Sequence, residues 1–131
     1  MKALYGAAMV AALATSACAQ DAVISAPSDG VVFVNLMSPA EGVSLDQLAA
    51  ELTEAMEKEI RTQPGFRAAS VHIARDGSYV LNYAQWDDTD SVDAVVTQLQ
   101  AGNLPELAEA FSLSTPEFHP YDVSSVTLAA K

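Results

Sequence analysis

Asn82 and Trp86, the latter the only tryptophan, stand four residues apart in a segment whose composition reads as a β-strand. At a strand's period of two they share one face with Val80 and Ala84. An amide on an otherwise apolar face must find a hydrogen-bond partner or line a cavity, because leaving it buried and unpaired costs roughly 1–3 kcal/mol. The indole N–H of Trp86 carries the same demand. With the small Ala84 leaving space between them, the two describe one wall of a pocket with two donors aimed into it. Such donors suit a ligand oxygen that gains negative charge. The competing reading is packing, in which the tryptophan fills core and the asparagine bonds loop backbone.

Other chemistries find little support. His72 and His119 are the only histidines, and neither has a carboxylate at metal-ligand spacing, so no metal site is expected. No glycine-rich phosphate loop and no Gly-x-Ser-x-Gly elbow occurs. Flavin and nicotinamide signatures are absent as well, and no cofactor is expected. Cys18 is the only cysteine, which leaves no disulfide or thiol nucleophile downstream of it.

The first 19 residues read as an export signal. Lys2 supplies a positive start, an Ala/Leu/Met/Val-rich run follows, and Ala17-Cys18-Ala19 offers a cleavage site before Gln20. A periplasmic or secreted product is the expectation. The alternative is a lipoprotein anchored through Cys18, since Thr15-Ser16-Ala17-Cys18 loosely fits a lipidation signal. Without Lys2, five basic residues face 17 acidic ones, a net charge of −12. A surface of that sign repels phosphate backbones and anionic membranes, so nucleic acid is not an expected partner.

Residues 20–30 read as a tether, and a single domain over 31–128 has to position the Asn82 strand. Its first strand is Val31 to Met37. Ser44 and Gln47 form a capping-box pattern that opens a helix with an apolar stripe from Leu45 to Ile60, and Pro64-Gly65 ends it. A second strand spans about Phe66 to Arg75. Asp76-Gly77 is a two-residue hairpin signal into a third strand, Ser78 to Trp86. A helix with the stripe Val92, Val95, Val96 and Leu99 follows, then a short helix from Pro105 to Phe111 and a last strand from about Phe118 to Leu128. This βαββαβ order predicts an α+β, ferredoxin-like fold with an antiparallel sheet. Right-handed crossovers put the first and third strands side by side at its centre, bringing Asn35 near Asn82 or Trp86. Both faces of those two strands are apolar, so a second copy is expected to cover the face that the helices leave bare.

The run Pro64-Gly65-Phe66, the Asp76-Gly77 turn, and Asn82-Tyr83-Ala84-Gln85-Trp86 followed by acidic residues and a helix resemble the antibiotic biosynthesis monooxygenase family. The resemblance covers roughly residues 31–128 and implies a homodimeric α+β barrel. Some members of that family oxidise phenolic or anthrone-like aromatics with O2, using neither metal nor flavin. Matched by order and spacing, Asn82 would then stabilise the substrate anion and Trp86 would contact the peroxide or a ring carbonyl. Asn35 is a further candidate for the pocket, because haem-degrading relatives carry an asparagine on the first strand. Ala84 would border the substrate; no general base is evident, with His72 the one candidate and a sufficiently acidic substrate able to ionise with little help. Tyr83 falls on the opposite face, at the expected dimer interface. Two other readings stand beside oxygenation: a non-catalytic dimer holding a small apolar ligand, and a haem-binding or haem-degrading relative. The last would need a histidine after the second helix, and Leu104 to Ser114 has none.

Overall fold

The structure, a computed structural model, describes residues 30–131. The proposed export signal and nearly all of the tether lie outside the described residues. Four strands, β1 (Val31–Pro39), β2 (Phe66–Ile73), β3 (Val80–Trp86) and β4 (Ser114–Tyr121), form one antiparallel sheet in the order β2-β3-β1-β4. Helices α1 (Leu45–Ala55), α2 (Thr89–Gln100) and α3 (Pro105–Ser112) connect them. This is the ferredoxin-like α+β arrangement, with β1 and β3 central as expected. No helix among the described residues is long and apolar enough to cross a membrane.

The two longer helices begin where their caps dictate. The Ser44 hydroxyl accepts from the Gln47 amide at 3.0 Å to start α1, and the Asp88 carboxylate accepts from both the amide and the hydroxyl of Ser91 to start α2. Those two bonds hold the Asp88 carboxyl below the ordinary carboxylate range. Gly65, at φ +81°, turns the chain from α1 into β2. A Cβ there would sit 2.1 Å from the Ser91 hydroxyl, so the position needs glycine for space as well as for backbone angle.

The structure differs from the sequence expectations at three places. Beyond Ala55 the first helix widens into a π-helical turn, Met56–Ile60, closed by the Arg61 amide donating to the Met56 carbonyl at 2.9 Å. The β2–β3 connection is longer than a two-residue turn: the Ala74 amide bonds the Tyr79 carbonyl, and only Gly77 has positive φ, whereas the tightest hairpin would need it at both central positions. The last strand runs from Ser114 to Tyr121, not from Phe118 to Leu128. It starts early because α3 ends beside the C-terminal end of β1, where the Ala40 amide bonds the Leu113 carbonyl. It stops early because Tyr121 already faces Val32, and β1 has almost no residues left to pair. Pro116 and Pro120 suit this strand to the sheet edge.

The core lies between one sheet face and the helices. Met37, Leu48, Leu52 and Val80 are its largest fully buried side chains. Across the sheet the other face presents Val34, Leu36, Leu81 and Tyr83, all half-buried in the single chain.

Candidate functional site

Strand register places the amides first. Asn35 and Asn82 are directly opposed in the β1–β3 ladder, and Phe118 of β4 stands on the other side of Asn35. All three leave the sheet on its helix side, together with Phe33, Ala84 and Trp86. These residues wall a cavity of about 260 Å³, whose opposite side is α2 (Val92, Val95, Val96, Leu99), α3 (Leu107, Phe111) and the π-turn (Met56, Ile60). An apolar cavity of about 150 Å³ already takes up benzene. This one has room for two fused rings, and a larger planar ligand would project past Phe118, which is 44% exposed.

The polar atoms in this wall are few and poorly satisfied. Oδ1 of Asn35 and Oδ1 of Asn82 are both buried without a hydrogen-bond partner. The Asn82 amide nitrogen faces the Met56 thioether at 3.9 Å, a weak acceptor that gives up its partner readily. The indole N–H of Trp86 makes no hydrogen bond among the described residues, and its ring is held edge-on by Phe66, centroid to centroid 5.2 Å. Phe33 and Phe118 pair at 5.0 Å and form an aromatic floor. No lining side chain is ionisable.

Two local features aim these groups. The ladder between β2 and β3 skips a residue between Phe66 and Ala68, so Arg67 bulges out and ties its Nε to the Asp87 carboxylate at 2.6 Å. The π-turn sends Met56 and Ile60 into the cavity wall while Glu59 reaches the start of α3. There its two carboxylate oxygens accept from the Glu106 and Leu107 amides, at 2.9 and 3.0 Å. Glu59 therefore caps α3 from a neighbouring element, fixing Leu107 and Phe111 against the same cavity.

Of the sequence candidates, Asn82, Trp86, Ala84 and Asn35 are brought together. His72 is not. Counting at period two from Phe66 would put it on the cavity face, but the bulge at Arg67 shifts the parity, and Ala69 and Val71 take that face instead. His72 lies on the open face opposite Leu81, with its ring nitrogen 2.8 Å from the Ser70 hydroxyl. His119 is also off the site, exposed on β4. Met56, Phe118 and Pro116 line the cavity but were not candidates. A methionine in an apolar stripe reads as core, and the β4 register depends on pairing that no local pattern encodes.

A family model described as antibiotic biosynthesis monooxygenase matches residues 30–106. The chain belongs to this family. It is similar to the tetracenomycin-F1 monooxygenase of Streptomyces glaucescens, 40% identical over 65 residues, which is 50% of this chain and 57% of that relative. The match thus spans little more than half the relative's length. Among solved structures, SnoaB from Streptomyces nogalater, a cofactor-independent oxygenase, superposes with a TM-score of 0.63 at 26% identity, covering 79% of this chain and 100% of SnoaB. The monooxygenase ActVA-Orf6 of Streptomyces coelicolor, solved with nanaomycin D, gives 0.53 at 24% identity over 78% of this chain and 94% of its own, a likeness of fold.

Proposed function

We propose that this member of the family is a monooxygenase that oxidises a phenolic, hydroquinone or anthrone-like aromatic with O2, without metal or flavin. The observation that carries the reading is the pairing of an apolar, ring-sized cavity with two amides whose carbonyl oxygens are buried and lack partners. In an anthrone the step converts a ring CH2 and O2 into a ring C=O and water. The substrate loses a proton, its anion passes one electron to dioxygen, and the radical pair joins as a hydroperoxide on carbon. Loss of the second C–H proton with O–O cleavage then gives the carbonyl and water.

The protein's part is positioning and electrostatics. Phe33, Phe118 and Trp86 hold the ring plane. Asn82 presents its oxygen, an acceptor for a neutral hydroxyl. As that hydroxyl ionises, rotation of the amide turns Nδ2 to the oxyanion at the cost of one weak N–H···S contact. The Trp86 N–H is the second donor, suited to the hydroperoxide or a ring carbonyl. With no ionisable lining side chain, deprotonation falls to water and to the acidity of the substrate itself. Exclusion of bulk water by the apolar wall protects the anion and the radical pair.

An oxygen-uptake screen of metal-free protein with hydroquinones, anthrones and catechols, run beside a haem titration, tests this reading. Uptake above the uncatalysed background with at least one phenolic substrate is expected, with no saturable haem complex. Ligand binding without uptake would favour the second reading, a non-catalytic dimer that holds an apolar ligand. The same lack of an ionisable lining residue speaks for that alternative.

A further inference from the structure

We propose that the Met56 thioether is an oxidative modification site, converted to its sulfoxide by a hydroperoxide held in the cavity. Among the described residues the methionines are Met37 and Met56, and there is no cysteine whose thiol would compete for an oxidant. Met37 is fully buried in the core, so a solute reaches its sulfur only when the fold opens. Met56 begins the π-turn, is half-buried and lines the cavity. The Asn82 amide nitrogen, another lining group, faces its sulfur at 3.9 Å, so that side of the sulfur is turned to the cavity. A contact of that length leaves the sulfur lone pairs open to attack an oxidant.

The step balances with the peroxide as its oxidant. A sulfur lone pair attacks the distal oxygen of R–O–O–H; the O–O bond breaks, a sulfur–oxygen bond forms, and the proton passes to the proximal oxygen to give R–OH. Sulfur loses two electrons and the peroxide gains them. The peroxide enters from solution or arises in place as the carbon-bound hydroperoxide of the oxidation proposed above, and only the second source rests on that reading. The product changes the wall, because oxidation turns an apolar side chain into a polar one. An oxygen added on the cavity side of the sulfur lies toward the Asn82 amide nitrogen and replaces its weak N–H···S contact by an N–H···O bond. Asn82 then gives up its donor to the protein, and a ring entering the cavity meets a polar group in place of a thioether.

Peptide mapping by mass spectrometry after timed exposure of the protein to cumene hydroperoxide, an aryl hydroperoxide of cavity size, tests the site without requiring turnover. Met56 should gain one oxygen at least roughly tenfold faster than Met37. Its rate should level off as cumene hydroperoxide is raised, as for a bound oxidant, and rise in simple proportion with hydrogen peroxide, which is too small to be held. Equal rates at the two methionines, or a Met56 rate proportional to both peroxides, would overturn the proposal. The consequence is read separately, on anthrone turnover. Protein oxidised at Met56 should turn over roughly tenfold more slowly or worse, with recovery after treatment with methionine sulfoxide reductase. Met56→Leu, close in volume and without sulfur, should keep its own rate through the same exposure. Saturable modification of Met56 in a protein that never turns over anthrone would sink the oxidation reading alone, whereas turnover with Met56 unmodified by cumene hydroperoxide would sink this inference alone.

Discussion

At the scale of single residues, the site turns on which polar atoms have partners and which do not. Asn82→Ala should lower turnover by on the order of 10² to 10³, as for loss of an oxyanion donor, while changing stability little because its amide has only a thioether to lose. A melting temperature that drops sharply with unchanged turnover would make it a packing residue. Trp86→Phe keeps a ring against Phe66 and removes the N–H, so a donor role predicts a fall in turnover at nearly constant melting temperature. Asn82, Ala84 and Trp86 were legible because a period of two is a local property of one strand. Asn35 was legible because βαββαβ topology makes its strand a neighbour. His72 was misplaced because a single bulged residue, Arg67, inverts the parity of everything after it on β2. Nothing in the run Phe66-Arg67-Ala68 announces that bulge.

Elements were legible by type and order, less so in how they end. The cap at Ser44 and the break at Pro64-Gly65 are short-range chemistry and appear where the sequence puts them. The π-turn is not, since Met56 to Ile60 continues an ordinary helical stripe. Glu59, within this turn, bonds the Glu106 and Leu107 amides at the start of α3. Glu59→Ala should destabilise the fold by roughly 1–2 kcal/mol, the usual loss for a helix cap, and should loosen α3 at the cavity wall. Chemical denaturation reads the first effect, and hydrogen exchange at Leu107 reads the second. The Asp88 cap adds a pH dependence. Its folded-state pKa is depressed by the Ser91 bonds, so its contribution is present above the unfolded value and is lost as pH falls through the lowered one. The melting-temperature advantage of wild type over Asp88→Ala should therefore hold at neutral pH and shrink below about pH 4.

For the whole molecule, the open sheet face decides the state of assembly. Val34, Leu36, Leu81 and Tyr83 are apolar or amphipathic and only half-buried in the single chain, and a second copy laid face to face would cover them. Light scattering is expected to return twice the chain mass at micromolar concentration. Tyr83→Asp, which would bury an unpaired charge in that interface, should give monomer or unfolded protein. A monodisperse, well-folded wild-type monomer would contradict the expectation. The catalytic claim spans the same whole, because the cavity is closed by both central strands, edge strand β4, helices α2 and α3 and the π-turn. Its most direct test is turnover of anthrone by metal-free protein under heavy-isotope dioxygen, read by mass spectrometry of the quinone. One labelled oxygen in the new carbonyl is predicted, formed faster than in protein-free buffer and slowed on the order of 10² to 10³ by Asn82→Ala. An unlabelled carbonyl, or a rate that the protein does not raise above background, would contradict it.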